Sequence, residues 1–205
     1  VVGGRYSLWF SNGSGHARVG EILTETPDTV TRELLAVDFG DLDSARRGRF
    51  NGWFYLDPGD LGVPCHEVVI DTELGPAPAW FVPAAHTAQS GAPGSGPSGS
   101  GPSSSGPWVI QVHGRAVVRT ETLRAIPVFR DAGYTSLLIS YRNDTEAPSS
   151  VDGRFALGDT EWRDIDAAMR YAIEHGARNL VLMGWSMGGA TVLQALTRSS
   201  SADRV

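Results

Sequence analysis

The sequence of 205 residues predicts an α/β fold, a mostly parallel sheet with helices on both faces. Two observations carry that prediction. Apolar runs at residues 108–112, 136–141 and 180–183 read as buried strands, and they alternate with stretches whose apolar residues recur at helical spacing. Strands that alternate with helices form a parallel sheet covered on both sides. In addition, the first and last of these runs break off at Gly114 and Gly184, where the chain has to turn sharply.

Taken in order, residues 1–65 form an N-terminal extension with strand-like pieces at 34–39 and 53–56 between glycine and Asp-Pro turns. The aromatic run 52–56 covers a core, and His16 and His66 stand without a cluster around them, as structural or surface residues. The core proper is residues 66–205. It opens with a hairpin, residues 66–71 and 79–83, turning at 75–78. Residues 87–107 are almost wholly Gly, Ser, Pro and Ala. Ordering them costs about 1–2 kcal/mol per residue with little apolar burial in return, so a flexible loop is expected. Thr120 caps a helix with Leu123, Ile126 and Phe129 on one face, and Pro127 predicts either a kink or a start close to it. Asp159 caps a second helix whose stripe is Ile165, Ala168, Met169, Ala172 and Ile173, stopped by Gly176. A third follows Gly189, with Leu193 and Leu196 on one face.

Chemistry concentrates at residues 180–189. The apolar run ends in Gly184-Trp185-Ser186-Met187-Gly188, the Gly-x-Ser-x-Gly pattern of a nucleophile elbow. Ser186 would occupy the strained tip of a strand-to-helix turn, and Gly184 and Gly188 would let neighbouring backbone pass without meeting a Cβ. A dinucleotide fingerprint requires another glycine where Ser186 stands, and a phosphate-binding loop requires a lysine. All 17 basic residues here are arginine, which also excludes Schiff-base chemistry in this chain. An acyl-transfer serine needs donors for the developing oxyanion. Met187 N–H is one, and the loop at Gly114 and Arg115 should carry the other. His113 beside that loop is expected to pack and hydrogen-bond, because a base there would lie on the oxyanion side.

With His113-Gly114 after one strand, Ser140-Tyr141-Arg142 at the end of the next and Gly184 to Gly189 after the third, the chain resembles the α/β-hydrolase superfamily. Within it, the resemblance is to serine hydrolases of esterase, lipase and serine-aminopeptidase type, over roughly residues 66–198. It implies a serine-dependent acyl hydrolase acting on an ester, thioester or amide, with a small-molecule or acyl substrate and no cofactor. It also implies an acid and a histidine after the elbow, on further strands. Only 19 residues follow Ser186, with no histidine and one acid, Asp203, so the fold is expected to be truncated after the helix that follows the elbow. The elbow strand would then be an exposed edge, and the chain alone would aggregate and be nearly inactive. Two alternatives stay open: a non-catalytic binding or scaffold protein completed by a partner chain, and a hydrolase that recruits His86, His113 or His175.

Composition narrows the rest. A net charge of −6 with pI near 5.3 argues against nucleic-acid binding, and residues 46–49, with three arginines, read as a solvated or structural cluster. The single cysteine, Cys65, excludes an internal disulfide and a cysteine-rich metal site, and no metal is expected. Cys65 and His66, adjacent in an extended segment, point to opposite faces and do not form a thiol pair. There is no membrane-length apolar run and no secretory pattern, so the chain reads as soluble and cytoplasmic, with any leader or anchor before Val1 and the oligomeric state left open.

Overall fold

The computed structural model describes residues 2–85 and 102–205, which fold as two compact units, Val1–Leu56 and Asp57–Val205. The N-terminal unit is an antiparallel sheet of β1 (Tyr6–Phe10), β2 (Gly15–Glu25), β3 (Val30–Phe39) and β4 (Gly48–Asn51), in the order β3-β2-β1-β4. The expected strand at 34–39 lies inside β3, whereas residues 53–56 are irregular. There Phe54 lies under the guanidinium groups of Arg5 and Arg18, at 5.5 and 5.6 Å, which fix the ring without a strand ladder. Pairing puts Tyr6, Leu8, Phe10, Ala17 and Val19 on one face and Ser7, Trp9 and His16 on the other.

The C-terminal unit is built on β5 (His66–Thr72), β6 (Gly75–Val82), β7 (Gly106–Val112), β8 (Thr135–Ile139) and β9 (Ala177–Gly184), in the order β5-β6-β8-β7-β9. The sheet is mixed: β5-β6 and β6-β8 pair antiparallel, β8-β7 and β7-β9 parallel. The hairpin turns at Glu73 and Leu74 rather than at 75–78, because Thr72 pairs with Gly75 and both Pro76 and Pro78 are strand residues. Neither proline blocks the ladder to β8, which pairs only with Ala79 to Val82. Most of the expected flexible loop lies outside the described residues. Its described end is ordered, with Ser104 buried, its N–H donating to His175 O at 3.1 Å and its carbonyl accepting from Trp108 Nε1 at 2.8 Å.

A 3₁₀ stretch, Arg119–Ala125, runs into α1 (Ile126–Asp131), with Pro127 in the first turn where its missing N–H is harmless. The second helix, α2 (Trp162–Glu174), carries the predicted buried stripe, but Asp159 does not cap it. Asp159 is exposed and paired with Arg198, while Glu161 at the N-cap is buried and accepts from Ala156 N and Gly158 N. The loop before α2 needed a carboxylate for its own amides, so the helix begins later. Helix α3 (Met187–Arg198) completes the unit.

Both sheet faces are covered. Trp108, Ile110, Val112, Leu137 and Ile139 pack in one core with Ile165, Met169 and Ala172 of α2 and Val192 and Ala195 of α3. The alternate residues Val109 and Leu138 point the other way and are equally buried, on the side of Leu123 and Ile126. Each such side chain contributes about 1.5–3 kcal/mol on burial, which holds the C-terminal ends of β7 and β9 in fixed register. Strand β9 lies at one end of this sheet, paired with β7 alone among the described residues.

Candidate active site

The parallel register brings the ends of β7 and β9 together, Val112 opposite Gly184. Past that point Trp185 N–H donates to Val112 O at 2.9 Å, and the chain reverses at Ser186, with φ 52° and ψ −117°, directly into α3. A serine at positive φ is strained by its own Cβ and persists only where its surroundings enforce it. Here they do. A Cβ on Gly184 would lie 2.4 Å from the Gly188 carbonyl, and one on Gly188 only 2.3 Å from Val112 O and 2.6 Å from His113 O. Ser186 itself is exposed, and Met187 follows as the first residue of α3, where helix geometry leaves N–H groups without an intrahelical acceptor.

The loop after β7 lies against this turn: a Cβ on Gly114 would sit 3.3 Å from Ser186 Cβ and from Trp185 O. Of the two loop residues expected to donate to an oxyanion, Gly114 is committed elsewhere, since its N–H donates to Glu121 Oε2 at 2.8 Å. Arg115 is exposed, and Ala116 beyond it takes φ 58°.

His113 is fully buried and stacks on Tyr141, ring centroids 4.3 Å apart. Its Nδ1 donates to Gly114 O at 2.8 Å, and its Nε2 faces Asp144 Oδ2 at 2.8 Å. Both nitrogens are engaged, leaving neither to take a proton from Ser186. His113 therefore holds the loop, and the alternative in which it serves as base is set aside. Asp144 Oδ2 also accepts from Tyr141 N–H, and the Tyr141 hydroxyl donates to His113 O and Gly114 O at 3.1 and 3.0 Å. Burial, reinforced by the Asp144 charge, pushes the Tyr141 phenol far up, so it stays a donor. Beside it Arg142 makes a buried pair with Asp164, Nε to Oδ2 2.7 Å. Burial works against the guanidinium charge, but its bonds to Asp164 outweigh that and raise its pKa.

Comparison with known proteins matches this geometry to a fold. Residues 122–202 match the prolyl oligopeptidase family, and residues 1–51 match a domain of unknown function, DUF8805. Among solved structures, an esterase of Pyrococcus furiosus superposes with a TM-score of 0.54 at 19% identity, over 72% of this chain and 52% of its own. The alpha/beta hydrolase GrgF from Penicillium sp. sh18 gives 0.53 at 19%, over 68% of this chain and 43% of its own. The C-terminal unit has the α/β-hydrolase fold. This chain spans about half the length of that esterase. No curated protein matches the sequence.

The α/β-hydrolase unit places the other histidines away from the turn. His175 caps the C-terminus of α2, before β9 begins, so the eight residues of β9 separate it from Ser186 by about 25 Å. It stacks on Tyr171 and bonds to the Tyr171 carbonyl, which removes it from the alternatives. His66 opens β5, the edge strand on the far side of the sheet from β9, with β6, β8 and β7 between them. His86 lies outside the described residues. No helix among the described residues is long and apolar enough to cross a membrane, and no cluster there could hold a metal ion.

Sequence reasoning marked Tyr141 and Arg142 only as carriers of the resemblance, and it missed Glu121, Asp144 and Asp164, the carboxylates that hold this region. The available signal was a set of polar residues, 142–144, placed immediately after an apolar strand. It also missed a relay in the N-terminal unit: His16 Nε2 lies 2.8 Å from Ser7 Oγ, and His16 Nδ1 lies 2.6 Å from Asp38 Oδ2. Ser7 and His16 are wholly buried, so the relay joins strands β1, β2 and β3 and is closed to any substrate.

Proposed function

We propose that this chain carries the nucleophile of a serine-dependent acyl hydrolase. Ser186 Oγ would attack the carbonyl of an ester, thioester or amide, forming an acyl-serine that water then hydrolyses. The negative charge on the carbonyl oxygen would be met by the N–H groups of Met187 and Arg115, the former at the positive end of α3. The histidine that takes the serine proton, and the acid that orients it, would come from outside the described residues. The single observation that supports this most is an exposed serine held at positive φ between a strand and a helix, at a position where folding alone favours glycine. The match to the prolyl oligopeptidase family favours an amide and the likeness to an esterase favours an ester; both proceed through the same acyl-serine. Labelling the protein with a fluorophosphonate tests the reading: adduct formation mapped to Ser186 and abolished by Ser186→Ala is expected, and labelling that survives that substitution sinks it.

One observation favours a second reading, a hydrolase-like binding protein without catalysis. Among the described residues no histidine hydrogen-bonds to Ser186. Wild-type protein that never labels, yet forms a stable complex with a partner chain, would support that reading.

A further inference from the structure

We propose that Glu121 is a positioning residue that, by holding the Gly114 N–H, fixes the backbone from which the Arg115 N–H is presented, an inference that rests on the reading of Ser186 as nucleophile. Gly114 is the softest point of the loop, because a glycine backbone has the widest conformational range. Both of its polar groups are nevertheless held. Its N–H donates to Glu121 Oε2 at 2.8 Å, and its carbonyl accepts from His113 Nδ1 at 2.8 Å and from the Tyr141 hydroxyl at 3.0 Å. The Gly114–Arg115 peptide is trans, so C=O and N–H point in opposite directions. With the carbonyl drawn toward buried His113 and Tyr141, the Arg115 N–H is turned away from them, on the loop that lies against Ser186.

Glu121 is itself anchored. It sits in the 3₁₀ stretch whose Leu123 is fully buried, and its own N–H donates to Val118 O at 2.9 Å. Its second oxygen meets Arg124 Nη2 at 3.4 Å, and the Arg124 guanidinium lies 5.3 Å over the ring of Trp185, the residue before Ser186. One carboxylate thus ties the loop after β7 to the turn after β9. Its loss would free the His113–Gly114 peptide, and rotation about the Gly114 backbone would then carry the Arg115 N–H out of place, while substrate contacts remain.

Hydrolysis of p-nitrophenyl acetate by the protein, with Ser186→Ala as reference, provides the test. Glu121→Ala should lower kcat by about 10²-fold with KM unchanged, the order seen when an oxyanion donor is lost. Glu121→Gln keeps an acceptor oxygen and should restore kcat to within a few-fold of wild type. Wild-type kcat in Glu121→Ala, or a loss in Glu121→Gln equal to that in Glu121→Ala, overturns the proposal. If circular dichroism shows Glu121→Ala unfolded, Glu121→Asp decides: its shorter side chain withdraws the carboxylate from the Gly114 N–H, and an unchanged kcat overturns the clamp. Activity that persists in Ser186→Ala refutes the nucleophile reading instead, so the two failures are distinct.

Discussion

Ser7 and Ser186 hold opposite halves of what a catalytic serine needs. Ser7 has a histidine at 2.8 Å and, behind it, a carboxylate at 2.6 Å from the same ring, yet it is fully buried in an ordinary strand. Ser186 is exposed and strained, beside helix N–H groups, with no base among the described residues. A Ser–His–Asp line of hydrogen bonds is therefore not by itself a sign of catalysis. Access for a carbonyl and donors for its oxygen separate the two sites. In the N-terminal unit the same three residue types satisfy one another inside a sheet, as buried polar groups must.

The largest expected effect separates the serines outright. Ser186→Ala should abolish fluorophosphonate labelling and Ser7→Ala should leave its rate unchanged; the reverse result would make the buried relay the reactive one. Next comes the close approach that holds Ser186 in place. Gly188→Ala drives a Cβ to 2.3 Å from Val112 O and should cost about 3 kcal/mol or prevent folding, read by urea denaturation. Gly189→Ala, whose nearest neighbour would be 3.7 Å away, should gain about 1 kcal/mol as a helix substitution. Removing the ring of the buried relay with His16→Ala leaves the buried Ser7 without its histidine and Asp38 with Arg18 alone. It should cost about 2 kcal/mol in the N-terminal unit without altering labelling. A gain as small as that at Gly189 is expected at the nucleophile itself: Ser186→Gly should stabilise the protein by about 1 kcal/mol by relieving the positive φ, seen as a higher urea midpoint.

The turn at Ser186 was legible because its requirements are local: an apolar run, then glycines two before and two after the serine. The stripe on α2 was legible for the same reason, since helical period is written along the chain. What holds the loop after β7 was not. Glu121 reaches Gly114 across seven positions and His113 reaches Asp144 across 31, and nothing in spacing says which carboxylate a turn will bring to which amide. Strand β1 escaped because apolar Trp9 shares a face with Ser7 and His16, which breaks the polar–apolar alternation that marks a one-sided strand. The start of α2 was misplaced because Glu161, not Asp159, met the local demand for an acceptor.

The strand order β8-β7-β9 also has a consequence for how the protein is made. Trp108 and Ile110 lie on a strand flanked on both sides by partners synthesised after it, and the β9 partner emerges about 70 residues later, several seconds at ordinary ribosome speed. Throughout that interval one edge of β7 and the apolar face later covered by α2 and α3 stand open. The nascent chain is thus most exposed to mispairing just before the Ser186 turn is translated, and the residues that close this gap are the same ones that build the site.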